Sequence, residues 1–169
     1  MSLAICAAAI CESAGGIQWI APTHWKAQPE RQMRAATYTV PAAPGDAEAA
    51  ECAVFYFGPG QGGGVDENIK RWIGQFQGGP AASQPSQTTV AGMKVTTIEH
   101  SGTYMAGGGP MMKAGTPKPG YRLIGAIVEA PEGAVFFKLT GPAKTVQAAK
   151  PAFDKMLQSI TKQPARKQA

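Results

Sequence analysis

The stretch Glu51 to Gln77, ECAVFYFGPGQGGGVDENIKRWIGQFQ, decides the fold. Cys52 to Phe57 is a continuous apolar run of the kind shown by a strand buried on both faces. Pro59 to Gly64 is a glycine loop, and beyond it Ile69, Trp72, Ile73 and Phe76 recur at spacings of three and four. That stripe predicts an amphipathic helix over Val65 to Phe76 that lays one face on a sheet. A strand, a glycine loop and a helix in this order also raise the question of a phosphate site.

The neighbouring residues answer against it. Gly58, Gly60 and Gly63 fit G-x-G-x-x-G, but a dinucleotide site also needs a βαβ crossover and an acidic residue about twenty positions on. GGPAASQP stands there instead. The helix opens on Asp66 and Glu67, which already complement its positive end and would repel an arriving phosphate. No Lys-Ser/Thr pair follows the glycines, so a Walker-type loop is excluded. No cofactor is expected, and the glycines read as a crossover loop that needs positive φ.

Upstream, GIQWIAPTHW is a strand ended by Pro22, Met33 to Val40 is a second strand, and PAAPGDAEAAE is a loop. Downstream, Gly78 to Pro85 stops the helix, and Thr88 to Tyr104 is strand-like with a bulge or tight bend at Ala91-Gly92. Met105 to Gly120 has no periodicity and reads as a long loop of the functional kind. Tyr121 to Glu129 and Ala134 to Thr140 form a hairpin across APEG. Val146, Ala149, Phe153, Met156, Leu157 and Ile160 mark a last helix, which Pro151 should kink or divide. About six strands and two main helices, with hairpins dominating the second half, predict an α+β fold. Its expected form is an α/β/α sandwich around a largely antiparallel sheet.

A chain of 169 residues suits one domain, placed at 16–161. Residues 1–15 read either as an export-signal remnant or as an ordinary first element, and an apolar run of about ten residues cannot span a bilayer. Residues 162–169 read as a basic flexible tail. That tail holds three of the 16 basic residues, so the rest carries 13 against 11 acidic ones. Nucleic-acid binding would need a clustered basic face, and none is visible. Cys6, Cys11 and Cys52 show no ligand spacing. They read as buried thiols or as one disulfide with a leftover thiol, and Cys11 lacks the small residue that precedes a lipidated cysteine.

Material for catalysis is thin. His24 lies in a turn, and His100 sits between Glu99 and Ser101, which as strand neighbours point to the other face. No Gly-x-Ser-x-Gly elbow exists, so no catalytic residue is named and no enzyme is expected. Soft ligands give a weak metal candidate in His100, Met105, Met111 and Met112, against which stands simple padding by methionine. Trp25, Tyr104 and Tyr121 are candidates to line a cleft, and with Gly60, Met111 and Met112 they make up the expected contact surface.

Three phrases carry a resemblance: ECAVFYFGPGQGGGVDENIKRWIGQF, TTVAGMKVTTIEHSGTY and PGYRLIGAIVEAPEGAVFFKLTGPAKTV. They resemble a family of uncharacterised exported bacterial proteins, often lipoproteins, over most of Trp19 to Ile160. The order of elements, with the opening IQWIAPTHW, is similar to the Mog1/PsbP-like fold. Founding members of that fold are protein-binding subunits, one for the Ran GTPase and one for photosystem II. The resemblance implies export and transfers no binding residues. The resulting expectation is a non-catalytic exported binding or adaptor module, in the periplasm or envelope-associated, with a protein partner there. The alternatives are a periplasmic small-molecule or metal-binding protein using the Met/His loop and, third, a hydrolase whose site leaves no sequence trace.

Overall fold

Every strand pairing among the described residues is antiparallel, and the two helices found there cover the result from opposite sides. The computed structural model describes residues 11–107 and 115–164. In chain order the elements are β1 (Cys11–Ala14), β2 (Ile17–Ile20), β3 (Lys26–Ala27), β4 (Arg34–Val40), β5 (Ala50–Tyr56), α1 (Val65–Gly74) and β6 (Phe76–Gln77). There follow β7 (Ser86–Val90), β8 (Met93–Ala106), β9 (Thr116–Ala130), β10 (Gly133–Pro142), α2 (Ala143–Gln158) and β11 (Thr161–Lys162). An eight-stranded sheet runs β3-β4-β5-β10-β9-β8-β6, with β7 also on β8, and a three-stranded sheet runs β1-β2-β11.

The expected count of about six strands is therefore too low. Two-residue strands such as β3, β6 and β11 carry no periodicity to detect, and β1 lies in the segment expected to precede the domain. With β1 paired to β2 and β11 joined to the same sheet, the folded unit runs beyond the expected 16–161 at both ends. Phe76 leaves the helix for β6, where it pairs with Tyr104. Gln75 caps α1, so Phe76 reaches the core from an extended backbone. Ala91 and Gly92 form a two-residue hairpin turn, both with positive φ, as a type I′ turn requires. Both ends of the expected loop at 105–120 are strand, because β8 and β9 stay paired out to Ala106 and Thr116, and 108–114 lie outside the described residues. α2 spans Pro151 without interruption. Pro151 is exposed, and buried residues on both sides, from Val146 to Leu157, seat the whole helix.

Strand alternation sorts the core into two layers. Val135, Phe137 and Leu139 of β10, with Cys52 and Val54 of β5, face α2 and the small sheet. Trp19 of β2 closes that layer edge-on to Phe137, and its indole N–H donates to the Tyr38 hydroxyl (3.1 Å). On the other face Leu123, Ile127, Phe136 and Ile98 meet Ile69 and Trp72 of α1. Here one contact sets the helix height. Gly125 of β9 lies under the Trp72 ring so closely that a Cβ there would stand 2.4 Å from Cζ3.

Both edges of the large sheet are blunted. β3 contributes two residues at one end. At the other, β7 and β6 take separate parts of β8, and Ser83 fills the interval by accepting from Glu99 N–H (3.2 Å) and donating to the Glu99 carbonyl through its hydroxyl (2.8 Å).

Truncating Trp72→Ala should cost about 3–5 kcal/mol in urea unfolding, the range for a buried tryptophan. Gly125→Ala should cost about 1–3 kcal/mol by overpacking. The second change should become nearly neutral in the Trp72→Ala background, and additivity in that double-mutant cycle would contradict the contact.

Candidate functional site

Because α1 lies over β8, β9 and β10, the β4–β5 half of the same sheet face has no helix on it. The row across the sheet reads Thr37, Ala53, Lys138, Gly125 and Ile98. Trp72 fills the space over Gly125, whereas Ala53, 3% exposed, lies on the floor of a hollow walled by side chains, and Lys138 stands between the two.

Two adjoining hollows share Phe55 and Lys138. One of about 210 Å³ is bounded by Arg34, Glu51, Ala53, Tyr104, Tyr121 and Thr140; the other, of about 150 Å³, by Phe57, Trp72, Gln75 and Arg71. The walls are aromatic and ordered by mutual contact. Tyr104 and Tyr121 stack 5.8 Å apart with their planes 8° from parallel, and Tyr104 also rests on Phe76 at 5.2 Å. Phe55 stacks on Phe57 at 6.1 Å.

The charges divide into committed and uncommitted. Arg34 pairs with Glu51 (2.7 Å) while its guanidinium covers the Phe55 ring at 5.3 Å. Glu48 accepts from Lys118 Nζ (2.9 Å) and from the Tyr121 hydroxyl, and the tyrosine bond first, then the lysine, holds its carboxyl below the usual range. Lys138 differs. All 11 acidic residues lie among the described ones, and none forms an ion pair with it. Its ammonium donates to Gln75 Oε1 and sits 5.5 Å from the centre of the Tyr104 ring. Burial, with Arg34 adding to it and Glu51 opposing, lowers its pKa to about 8. Burial likewise raises Tyr104, and burial together with the Glu48 bond raises Tyr121 to about 12.

The residues expected from sequence scatter around this site. Tyr104 and Tyr121 form its wall as a pair. Trp25 does not join them: it is 6% exposed in the opposite layer, tilted against Tyr38, because Pro22 turns the chain and Trp25 N–H bonds back to the Pro22 carbonyl (3.1 Å). Gly60 stands at an open turn with nothing near the place of a Cβ, away from the hollow. His100 is buried edge-on to Phe76, burial lowers its pKa, and its Nδ1 has no partner. By alternation Met105 points to the face opposite His100, so these two do not converge; Met111 and Met112 lie outside the described residues. His24 is exposed. Cys11 is exposed and Cys52 buried, with no bond between them, and burial pushes the Cys52 thiol well up; Cys6 lies outside the described residues.

Glycines 58 to 64 are bound to the start of α1. Asn68 Nδ2 donates to the Gly62 and Gly64 carbonyls (2.8 Å each), and Glu67 accepts from Gly64 N–H (3.3 Å), so the helix's own side chains tie the loop down. Arg34, Glu51, Phe55, Gln75 and Lys138 were missed. One of them left a sequence signal: Lys138 interrupts the apolar run AVFFKL of a central strand, where a charge without an evident partner is costly.

No family model matches the chain, and no curated protein sequence does. Solved structures do match. LpqN of Mycobacterium tuberculosis, described as involved in cell envelope biogenesis, is 17% identical with a TM-score of 0.56, over 88% of this chain and 83% of that one. The PsbP protein of the cyanobacterium Synechocystis sp. PCC 6803 is 10% identical with a TM-score of 0.53, over 88% and 87%. PA94 of Pseudomonas aeruginosa, of unknown function, is 14% identical with a TM-score of 0.52, over 92% and 97%. At these identities the likeness is one of fold: the chain is α+β with PsbP-like neighbours. No helix among the described residues is long and apolar enough to cross a membrane.

The lowered pKa of Lys138 makes stability depend on pH. Between about pH 8 and the ordinary lysine value of 10.5 the unfolded chain holds a proton that the folded one has released, so this group adds stability as pH rises through that window. Lys138→Met should remove that upward trend, measured as the difference in Tm between wild type and variant at pH 7.5 and pH 10. Equal pH slopes for the two proteins would contradict the assignment.

Proposed function

We propose that this protein is a non-catalytic binding module of the cell envelope that receives a protein partner on the open half of its sheet face. The observation that carries the reading is Lys138, an uncompensated, desolvated charge beside an aromatic wall. A lone charge in that position costs folding free energy that apolar residues would avoid, as expected of a side chain kept for recognition. Tyr104, Tyr121, Phe55 and Arg34 belong to the residue types that anchor protein interfaces. The absence of an enzyme activity remains part of the proposal. It is supported by His100, sealed against Phe76 without a carboxylate, and by His24, which stands exposed in a turn. Placement outside the cytoplasm is supported by the resemblance of the sequence to exported proteins and by the envelope role stated for LpqN.

A photo-crosslinking amino acid at Thr140, on the floor of the hollow, should capture one reproducible protein from the native envelope. The same group at Lys155, exposed on α2, should not. Capture from position 155 alone, or from neither position, would overturn the reading.

A further inference from the structure

Size and charge of the hollow narrow what it can hold. The site is divided by Phe55 and Lys138 into compartments of about 210 and 150 Å³, each below the roughly 300 Å³ at which small-molecule and cofactor sites begin, so each fits one or two side chains. Its one uncompensated cation is Lys138. Glu51 and Glu48 stand on the rim and disfavour a group with two or more negative charges, which argues against phosphate. The remaining lining, Phe55, Tyr104 and Tyr121, offers ring faces to an apolar neighbour.

We propose that the hollow recognises a single carboxylate beside an aromatic or aliphatic side chain on an extended segment of the partner, with Lys138 pairing the carboxylate and the Tyr104–Tyr121 wall packing the apolar group. This rests on the preceding reading of the open face as the binding surface. On binding, the carboxylate displaces the Gln75 amide oxygen from the ammonium, exchanging a neutral acceptor for a charged one, a bond roughly twice as strong. The other charged and titratable groups facing Lys138 are Arg34, Arg71, Glu51, Tyr104 and Tyr121, with Glu48 and Lys118 behind the last. Both tyrosines are shifted upward, so below pH 10 Lys138 is the group that releases a proton here.

The test is a nuclear magnetic resonance titration of the whole chain with three probes: N-acetyl-Phe-Glu-amide, its Phe-Gln counterpart and free 3-phenylpropionate. The Glu peptide should shift Tyr104, Tyr121 and Lys138 resonances saturably, at least about tenfold more tightly than the Gln peptide. Its affinity should fall at least about tenfold from pH 7 to pH 10, and by the same factor in both Lys138→Met and Lys138→Gln. Equal binding of Glu and Gln peptides, or full binding by the two variants, overturns the carboxylate assignment. Binding of phenylpropionate without the Glu peptide overturns the partner segment and makes the ligand a free acid. Should no probe bind while the Thr140 crosslink persists, this inference fails and the binding face stands; loss of the crosslink removes the face itself.

Discussion

The close approach of the Trp72 indole to Gly125 is the contact on which the remaining arrangement depends. A glycine in the middle of a central strand gives up side-chain packing, and here that loss is recovered by bringing a helix one Cβ closer to the sheet than any other residue permits. The contact fixes α1 over β8 to β10. A ten-residue helix, under three turns long, does not extend over β4 and β5 as well, so the helix-free half of the face follows from the position of the covered half. Ala53 and Gly125, the two neighbours of Lys138 in the sheet, are both small, yet Gly125 is roofed by a helix and Ala53 lies under the side chains that wall the hollow. The lysine marks that border. On the opposite face the larger α2 and the small sheet cover the strands, and the deepest aromatic residues, Trp19, Phe137 and Phe153, lie there; the hollows on that side, of about 280 and 230 Å³, open along the flanks of α2.

How much of this was legible follows from the range of each signal. Both helices, the buried strand before α1 and the hairpin-rich second half came from periodicity within a dozen residues, and the antiparallel α+β class followed. Two-residue strands were not legible, because they exist only through pairing: β6 is a strand because Tyr104 lies beside Phe76, some thirty residues away. Phe76 completed the helical stripe by spacing and entered the same core by another route. In the site, Tyr104 and Tyr121 were chosen by residue type and proved to be a stacked pair. Trp25 was chosen in the same way and proved to be core. Arg34, Glu51 and Lys138 come from β4, β5 and β10, neighbours in the sheet although α1 and four strands lie between β5 and β10 in the chain, and no local pattern announces such a set.

The glycine loop shows how one motif divides into a permissive and a specific part. Its positive φ values permit the turn between β5 and α1, as the composition implies. What holds the loop is specific: Asn68 donates to two of its carbonyls, and Glu67 accepts from Gly64 N–H, a donor of the kind an anion would need. The strand–loop–helix unit is thus occupied from within.

The blunted sheet edges bear on how this molecule can meet another. Strand addition, the commonest way for a sheet to recruit an extended peptide, needs a run of free N–H and C=O groups along an edge. β3 offers two residues, and the far side of β8 is divided among β7, Ser83 and β6. Backbone pairing of that kind is indifferent to sequence, and short edges restrict it for correct and incorrect partners alike. The choice of what adheres to this protein shifts toward side chains. The same economy leaves the five residues of β7 as the longest run of the large sheet's outer edge among the described residues, a short template for edge-to-edge stacking of identical copies.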